Sequence, residues 1–269
     1  MGGDTLLSAV GSVVNALFLV ASIYIYISLL RQIGTRRTDP DLATGRRFGL
    51  PEATVAVALA TLFTLNSIGA GSAQVVNLRT RDLIVNGIFA AGLVAFITVF
   101  LKLRRFDVTE LAGLTRVSFR RAIATGLVLM VFAYPLIIFA DWLTARVVGS
   151  GSSRQGIVEL FSSSQLLEQR IIIIVLAVAV APVAEEFVFR FFLYGVLRRY
   201  VGRVLALVLS SLLFAAVHAH LPSFVPLFVL GSCFTLAYEW SGSLLVSMTM
   251  HAIFNALTLT ALAFPDMVQ

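Results

Sequence analysis

Cysteine is nearly absent: Cys233 is the single one in 269 residues. That excludes an internal disulfide and any multi-cysteine metal site. Its place in an apolar run reads as a small packed residue. Charge is scarce too. Only 13% of residues are Asp, Glu, Lys or Arg and 59% are hydrophobic, against roughly 25% charged in a soluble domain. A water-soluble fold is excluded, and the chain reads as one integral membrane domain. Lysine occurs once, as Lys102, so arginine carries nearly all of the basic charge behind the net +6. In a soluble protein that balance would suggest nucleic acid. Here the arginines cluster in short loops and read as topology signals and contacts to anionic lipid. Catalytic signatures are missing as well. There is no His-Glu-x-x-His run, no Gly-x-Ser-Gly on an apolar span, and no intramembrane aspartate pair, since Asp141 and Asp266 fall at span ends. No internal repeat supports an inverted-repeat transporter.

What the chain does have is a succession of apolar runs. The pattern predicts an all-α, polytopic bundle of about eight spans around a polar intramembrane cavity. Leu6–Leu30 is too long for a signal-peptide core and is followed by arginines, so it reads as a retained span. Arg31–Pro51 reads as a basic loop turning at Asp39-Pro40. Further spans are expected near Ala53–Ala70, Leu83–Leu101 and Ala122–Ala140, the last kinked at Pro135. Between the third and fourth, Lys102–Arg121 mixes basic residues with Phe106, Val108, Leu111, Leu114, Val117 and Phe119, the pattern of an amphipathic segment lying on the membrane surface. Gly149–Ser153 reads as a flexible linker, and Glu159–Gln169 as a short surface helix. The fifth span begins at Ile171 and continues to Arg199. The sixth covers Val204–His220, the seventh follows the prolines at 222 and 226, and the eighth is Leu244–Phe264 after a tight Ser241-Gly-Ser243 connection. Fourteen basic residues lie in the loops after spans one, three and five, against five in those after spans two and four. The first set is therefore expected in the cytoplasm and both termini outside.

Polar groups in the second half fall into three clusters. Glu185 and Glu186 end the apolar run Ile171–Ala184, and Arg190 is the next charge. A charge at bilayer depth costs about 2.5–3.5 kcal/mol even on lenient insertion scales, so these groups need partners or a purpose. On a helix Glu186 and Arg190 stand four apart and can pair. Glu185 points about 100° away and lacks that partner. An unpaired, partly desolvated carboxylate is suited to general-base work near neutral pH. The second cluster is Phe214-Ala-Ala-Val-His218 and the third His251-Ala-Ile-Phe-Asn255, whose polar residues share a helical face. By helical rise Glu185 and His218 lie about 20 Å from the connection at Arg199–Arg203, and His251 only about 12–15 Å from its own turn. His220 ends its span and reads as a boundary residue. Asn15, Asn66 and Asn86 read as packing groups.

Glu-Glu-x-x-x-Arg, Phe-x-x-x-His and His-x-x-x-Asn, in that order on successive spans, resemble the CAAX protease and bacteriocin-processing family, which includes the type II CAAX prenyl endopeptidases. The resemblance covers about 171–261 as a catalytic core; residues 1–170 resemble nothing beyond a membrane bundle. Many members carry glycine directly after the arginine, where this chain has Phe191. The resemblance implies an intramembrane endopeptidase of a prokaryotic plasma membrane. In it Glu185 and His218 activate a water, His251 and Asn255 stabilise the oxyanion, and Glu186 with Arg190 braces the site. It implies a peptide or membrane-protein substrate, prenylated or not, a lipid bilayer as surroundings and no nucleic acid. No cofactor is expected. The alternative is zinc held by Glu185, His218 and His251. Two non-enzymatic readings stand beside the peptidase: a proton-coupled transporter using Glu185 and His218, and an immunity or scaffold factor.

Overall fold

The computed structural model describes residues 2–35, 48–72, 79–148, 160–161, 164 and 166–264. Its elements are helical: α1 (Gly2–Thr35), α2 (Leu50–Ser72), α3 (Thr80–Leu103), a short α4 (Val108–Leu111), α5 (Phe119–Val148), α6 (Leu167–Val201), α7 (Arg203–Val217), α8 (Phe224–Ser241) and α9 (Leu244–Ala263). The Asp39-Pro40 turn and the Gly149–Ser153 linker lie outside the described residues. Of the helix expected over 159–169, residues 167–169 open α6.

Among the described residues seven helices are long and apolar enough to cross a membrane. The protein is an integral membrane protein, and its outward faces fit that solvent. Val10, Leu17, Leu62, Ile88 and Val128 are among many large apolar side chains exposed on the bundle, a surface that water would not tolerate. The expected sixth span is the exception. α7 has 15 residues and is about 22 Å long, short of the roughly 30 Å hydrocarbon core. It stops at His218 because Ala219 turns into the left-handed region (φ 47°) and a 3-10 turn, Leu221–Ser223, follows. Pro226 belongs to the first turn of α8 rather than to the connection. α5 runs through Pro135 without interruption.

α8 sits at the centre, packed against α7, α5, α9 and α1. The core is dominated by aromatics from α6, α7 and α8: Phe187, Phe189, Phe191, Phe192, Phe214 and Phe234. Phe191, at the departure from the common glycine, is buried against Phe187 and Phe48.

The segment between α3 and α5 is exposed along much of its length and turns one apolar face to the protein. Phe106, Val108 and Ala112 are buried in the same core. The backbone carbonyl of Ala112 accepts a 3.0 Å bond from the Leu244 N–H, roofing the α8–α9 connection. Leu111 and Phe119 stay exposed, while Phe106 and Val108 cover protein. The roof needs glycine on both sides. Gly113 (φ 64°) and Gly242 (φ 66°) are both left-handed, and a Cβ on Gly113 would run into the Gly242 carbonyl.

Candidate active site

α6 is a 35-residue helix that is not α-helical throughout. Leu176–Val180 and Glu186–Leu193 are π-helical. The first stretch has a local cause. Pro182 has no N–H to give the carbonyl four residues back, and its ring crowds that carbonyl, so the preceding turn widens. Widening frees backbone carbonyls, and Asn255 uses one. Its Nδ2 donates to the Ala177 carbonyl at 2.7 Å, fastening α9 to α6. One amide proton is engaged there and the second is uncommitted.

Glu186 and Arg190 pair as their spacing predicts, Oε1 to Nη1 at 3.0 Å, with side chains 0% and 1% exposed. The guanidinium is also held by two aromatic faces. Its Cζ lies 4.0 Å from the Phe214 ring centroid and 5.2 Å from that of Phe234, and Nη2 reaches the Gly231 carbonyl at 3.4 Å. Glycine at 231 is required by this approach, since a Cβ there would lie 3.1 Å from Phe214 and 3.2 Å from Nη2. Glu186 has a second client. His251 Nδ1–H donates to the same Oε1 at 3.0 Å, and the ring stacks on Phe234 at 5.1 Å.

His218 is oriented from behind as well. Its Nδ1–H donates to the Phe214 carbonyl at 2.7 Å. In both imidazoles the hydrogen bond at Nδ1 leaves Nε2 facing forward. The two Nε2 atoms converge on Glu185. His218 Nε2 is 4.0 Å and His251 Nε2 3.9 Å from Glu185 Oε2. That carboxylate oxygen is buried and has no hydrogen-bond partner among the described residues, although the side chains of Glu185 and His218 are 30% and 24% exposed. Glu185, Glu186, Arg190, His218 and His251 thus form one connected cluster, and Asn255 supports it from one turn further along α9. His220 stands apart, with Nδ1 bonded to the Ser223 hydroxyl at 2.7 Å.

The depth offset expected for His251 does not keep it from Glu185, which it approaches as closely as His218 does. Ser243 and Leu244 are 0% exposed beneath the roof. Phe234, Gly231 and the Ala177 carbonyl were not singled out by the sequence. Each acts through a three-dimensional contact that no spacing rule announces. The glycine was the one available signal, standing four residues before Thr235, whose hydroxyl also bonds the Gly231 carbonyl.

Zinc held by Glu185, His218 and His251 would need these side chains to draw closer together than they stand. Three ligand atoms about 2.0–2.1 Å from a tetrahedral zinc are roughly 3.3–3.4 Å apart. Here the gaps are 3.9 and 4.0 Å, a span that a water about 2.8 Å from each atom bridges comfortably. Among the described residues no group of three His, Cys, Asp or Glu is arranged to hold a metal ion.

Residues 167–257 match the family model described as "Type II CAAX prenyl endopeptidase Rce1-like". The membrane-embedded CAAX protease MroQ of Staphylococcus aureus (strain USA300) is 36% identical over 83 residues, which is 28% of this chain and 33% of that protein. The uncharacterized protein YpbD of Bacillus subtilis (strain 168) is 31% identical over 186 residues, 66% of this chain and 83% of that protein. No solved structure matches. With the match over 167–257, which holds the motifs of α6, α7 and α9, and a relative covered over 83% of its length, the chain belongs to the Rce1-like CAAX protease family.

Proposed function

We propose that the protein is an intramembrane endopeptidase that hydrolyses a peptide bond with a water activated by Glu185 and His218, without an obligatory metal. One observation carries the reading: the partnerless Glu185 Oε2 faces two imidazole Nε2 atoms across gaps of 3.9 and 4.0 Å. A water there donates to the carboxylate and to the His218 lone pair. As its oxygen attacks the carbonyl carbon, one proton passes to Glu185 and the carbonyl becomes a tetrahedral oxyanion. His251, held at Nδ1 by Glu186, turns its Nε2 edge to the oxyanion and stabilises it there. Glu185 then returns its proton to the leaving amine as the C–N bond breaks, which balances the cycle. Glu186 and Arg190 hold His251 in place. Asn255 contributes by fixing α6 against α9, and its second amide proton is the further candidate donor to the oxyanion.

The substrate class is an extended peptide, or a segment of a membrane protein, that reaches Glu185 from the exposed side of α6 and α7; a prenylated C-terminus is one such peptide. α7 ends short of the bilayer's thickness, and irregular backbone at that depth is tolerated where it lines a wet cavity. That supplies both the hydrolytic water and the room for a substrate backbone.

The test is cleavage of a quenched peptide library by the purified full chain in detergent, comparing wild type with Glu185→Gln and Glu185→Ala, each with and without a zinc chelator. The expected result is a fall of about 10²–10⁴ in rate for both variants, with folding retained and chelator without effect. Loss with chelator, restored by zinc, would overturn the metal-free step. Cleavage that survives Glu185→Ala would overturn the assignment of the base.

A further inference from the structure

The far end of the bundle carries a second polar feature, separate from the cluster on Glu185. Where the α8–α9 connection meets the first turns of α5, a groove of about 380 Å³ is lined by Arg116, Arg121, Thr125, Val117, Val246 and Trp240. Both arginines are exposed. Neither guanidinium has a hydrogen-bond or ion-pair partner among the described residues. Three other arginines at this end do have partners. Arg104 pairs with Glu52, and Arg198 and Arg203 both pair with Glu239. Glu52 and Glu239 are therefore committed elsewhere. Arg116 is also held in place: its Nη1 and Cδ lie against Gly242, where a Cβ would come within 3.2 and 3.6 Å.

The surroundings specify the ligand's other half. α5 begins at Phe119, which is 68% exposed, and α8 ends at Ser241. The groove thus lies at the ends of two spans, where headgroups sit. Trp240 packs at that level with its indole N–H on Gln32 Oε1 at 2.9 Å, the usual place of a membrane-interface tryptophan. Val117, Ala124 and Val246 give the groove apolar walls. Two unpaired guanidinium groups above apolar walls at bilayer level suit an anionic group attached to hydrocarbon. We propose that this groove binds a phosphate group, carried by the headgroup of a net-negative phospholipid, and does so independently of the peptidase reading.

Trp240 makes the test direct, because the chain has only one other tryptophan, Trp142. In a Trp142→Phe background Trp240 is the sole reporter. The full chain is placed in phosphatidylcholine vesicles containing a minor fraction of brominated phosphatidylglycerol, or the same amount of brominated phosphatidylcholine. The expected result is stronger quenching of Trp240 by the anionic lipid. Arg116→Gln or Arg121→Gln should each reduce that preference about fivefold. Arg120→Gln, which removes an arginine of the same end that does not line the groove, should leave it unchanged. Circular dichroism checks that the variants stay helical. Equal quenching by the two lipids would overturn the proposal. So would an equal loss in all three variants, which marks general surface charge. If millimolar inorganic phosphate abolishes the preference, the phosphate site stands and the lipid as its carrier is overturned.

Discussion

Arg190 offers the sharpest check on how the site is built. It is 1% exposed, and Glu186 beside it is 0% exposed. Arg190→Met keeps most of the side chain's volume between Phe214 and Phe234 but removes the charge. Glu186 then keeps a single donor, His251 Nδ1–H at 3.0 Å, and stays out of water. Breaking a buried pair from one side costs about 3–5 kcal/mol, because the remaining charge is uncompensated. Glu186→Gln should cost toward the lower end of that range: the amide oxygen still accepts from His251, and Arg190 keeps the Gly231 carbonyl and two ring faces. The double variant Glu186→Gln/Arg190→Met buries no charge at this point. It should be more stable than the sum of the single losses by about 2 kcal/mol or more, within the range of coupled neighbours. The assay is unfolding of the full chain in mild detergent by increasing SDS mole fraction, run as a complete cycle. Peptide cleavage is followed in parallel and should stay depressed in the double variant, because His251 has lost its carboxylate. Single losses that add to within about 0.5 kcal/mol would refute the reasoning. So would full activity in the double variant.

Three further outcomes are expected. Asn255→Ala removes the 2.7 Å bond to the Ala177 carbonyl and leaves that carbonyl unsatisfied in the bundle, costing about 1–3 kcal/mol in the same unfolding assay; cleavage should fall with it as Glu185 loses its fixed register. Gly231→Ala places a methyl 3.1 Å from Phe214 and 3.2 Å from Arg190, so it should destabilise by about 1–3 kcal/mol as overpacking does, whereas Gly11→Ala on α1, with open space around it, should not. Ala219→Gly relieves a left-handed alanine (φ 47°) next to His218; stability should rise by up to about 1 kcal/mol, the strain relieved being partly offset by a more flexible unfolded chain, and a loss of stability would show that the Ala219 methyl is needed in packing.

Much of this was legible in the sequence because it rests on local rules. Apolar run lengths located seven of the spans, and i,i+4 spacing found the Glu186–Arg190 pair. Cys233, read as a packed residue, is buried. Where the sequence misleads, a tertiary partner has overridden a local pattern. The stretch 102–121 is amphipathic as its composition suggests, but its pattern could not say that Phe106 and Val108 join the protein core. Run length made the sixth span longer than α7 is, since the apolar residues continue past the point where Ala219 turns the backbone.

The same distinction explains why two adjacent glutamates have separate surroundings. As neighbours on any helix they must point in different directions. What the sequence could not supply is what each direction meets. Glu186 points into aromatic and cationic protein, where Arg190 and His251 consume one of its oxygens. Glu185 points to the half-open side, where two imidazoles stop about 4 Å short. The π-helical turns sit on either side of this division, the first ending at Val180 and the second beginning at Glu186. Pro182 lies between them and accounts for the first. Replacing Pro182 with alanine would restore an N–H and favour a regular turn. That change would draw the Ala177 carbonyl back toward its own helix and away from Asn255, so the proline belongs to the site although it carries no reactive group.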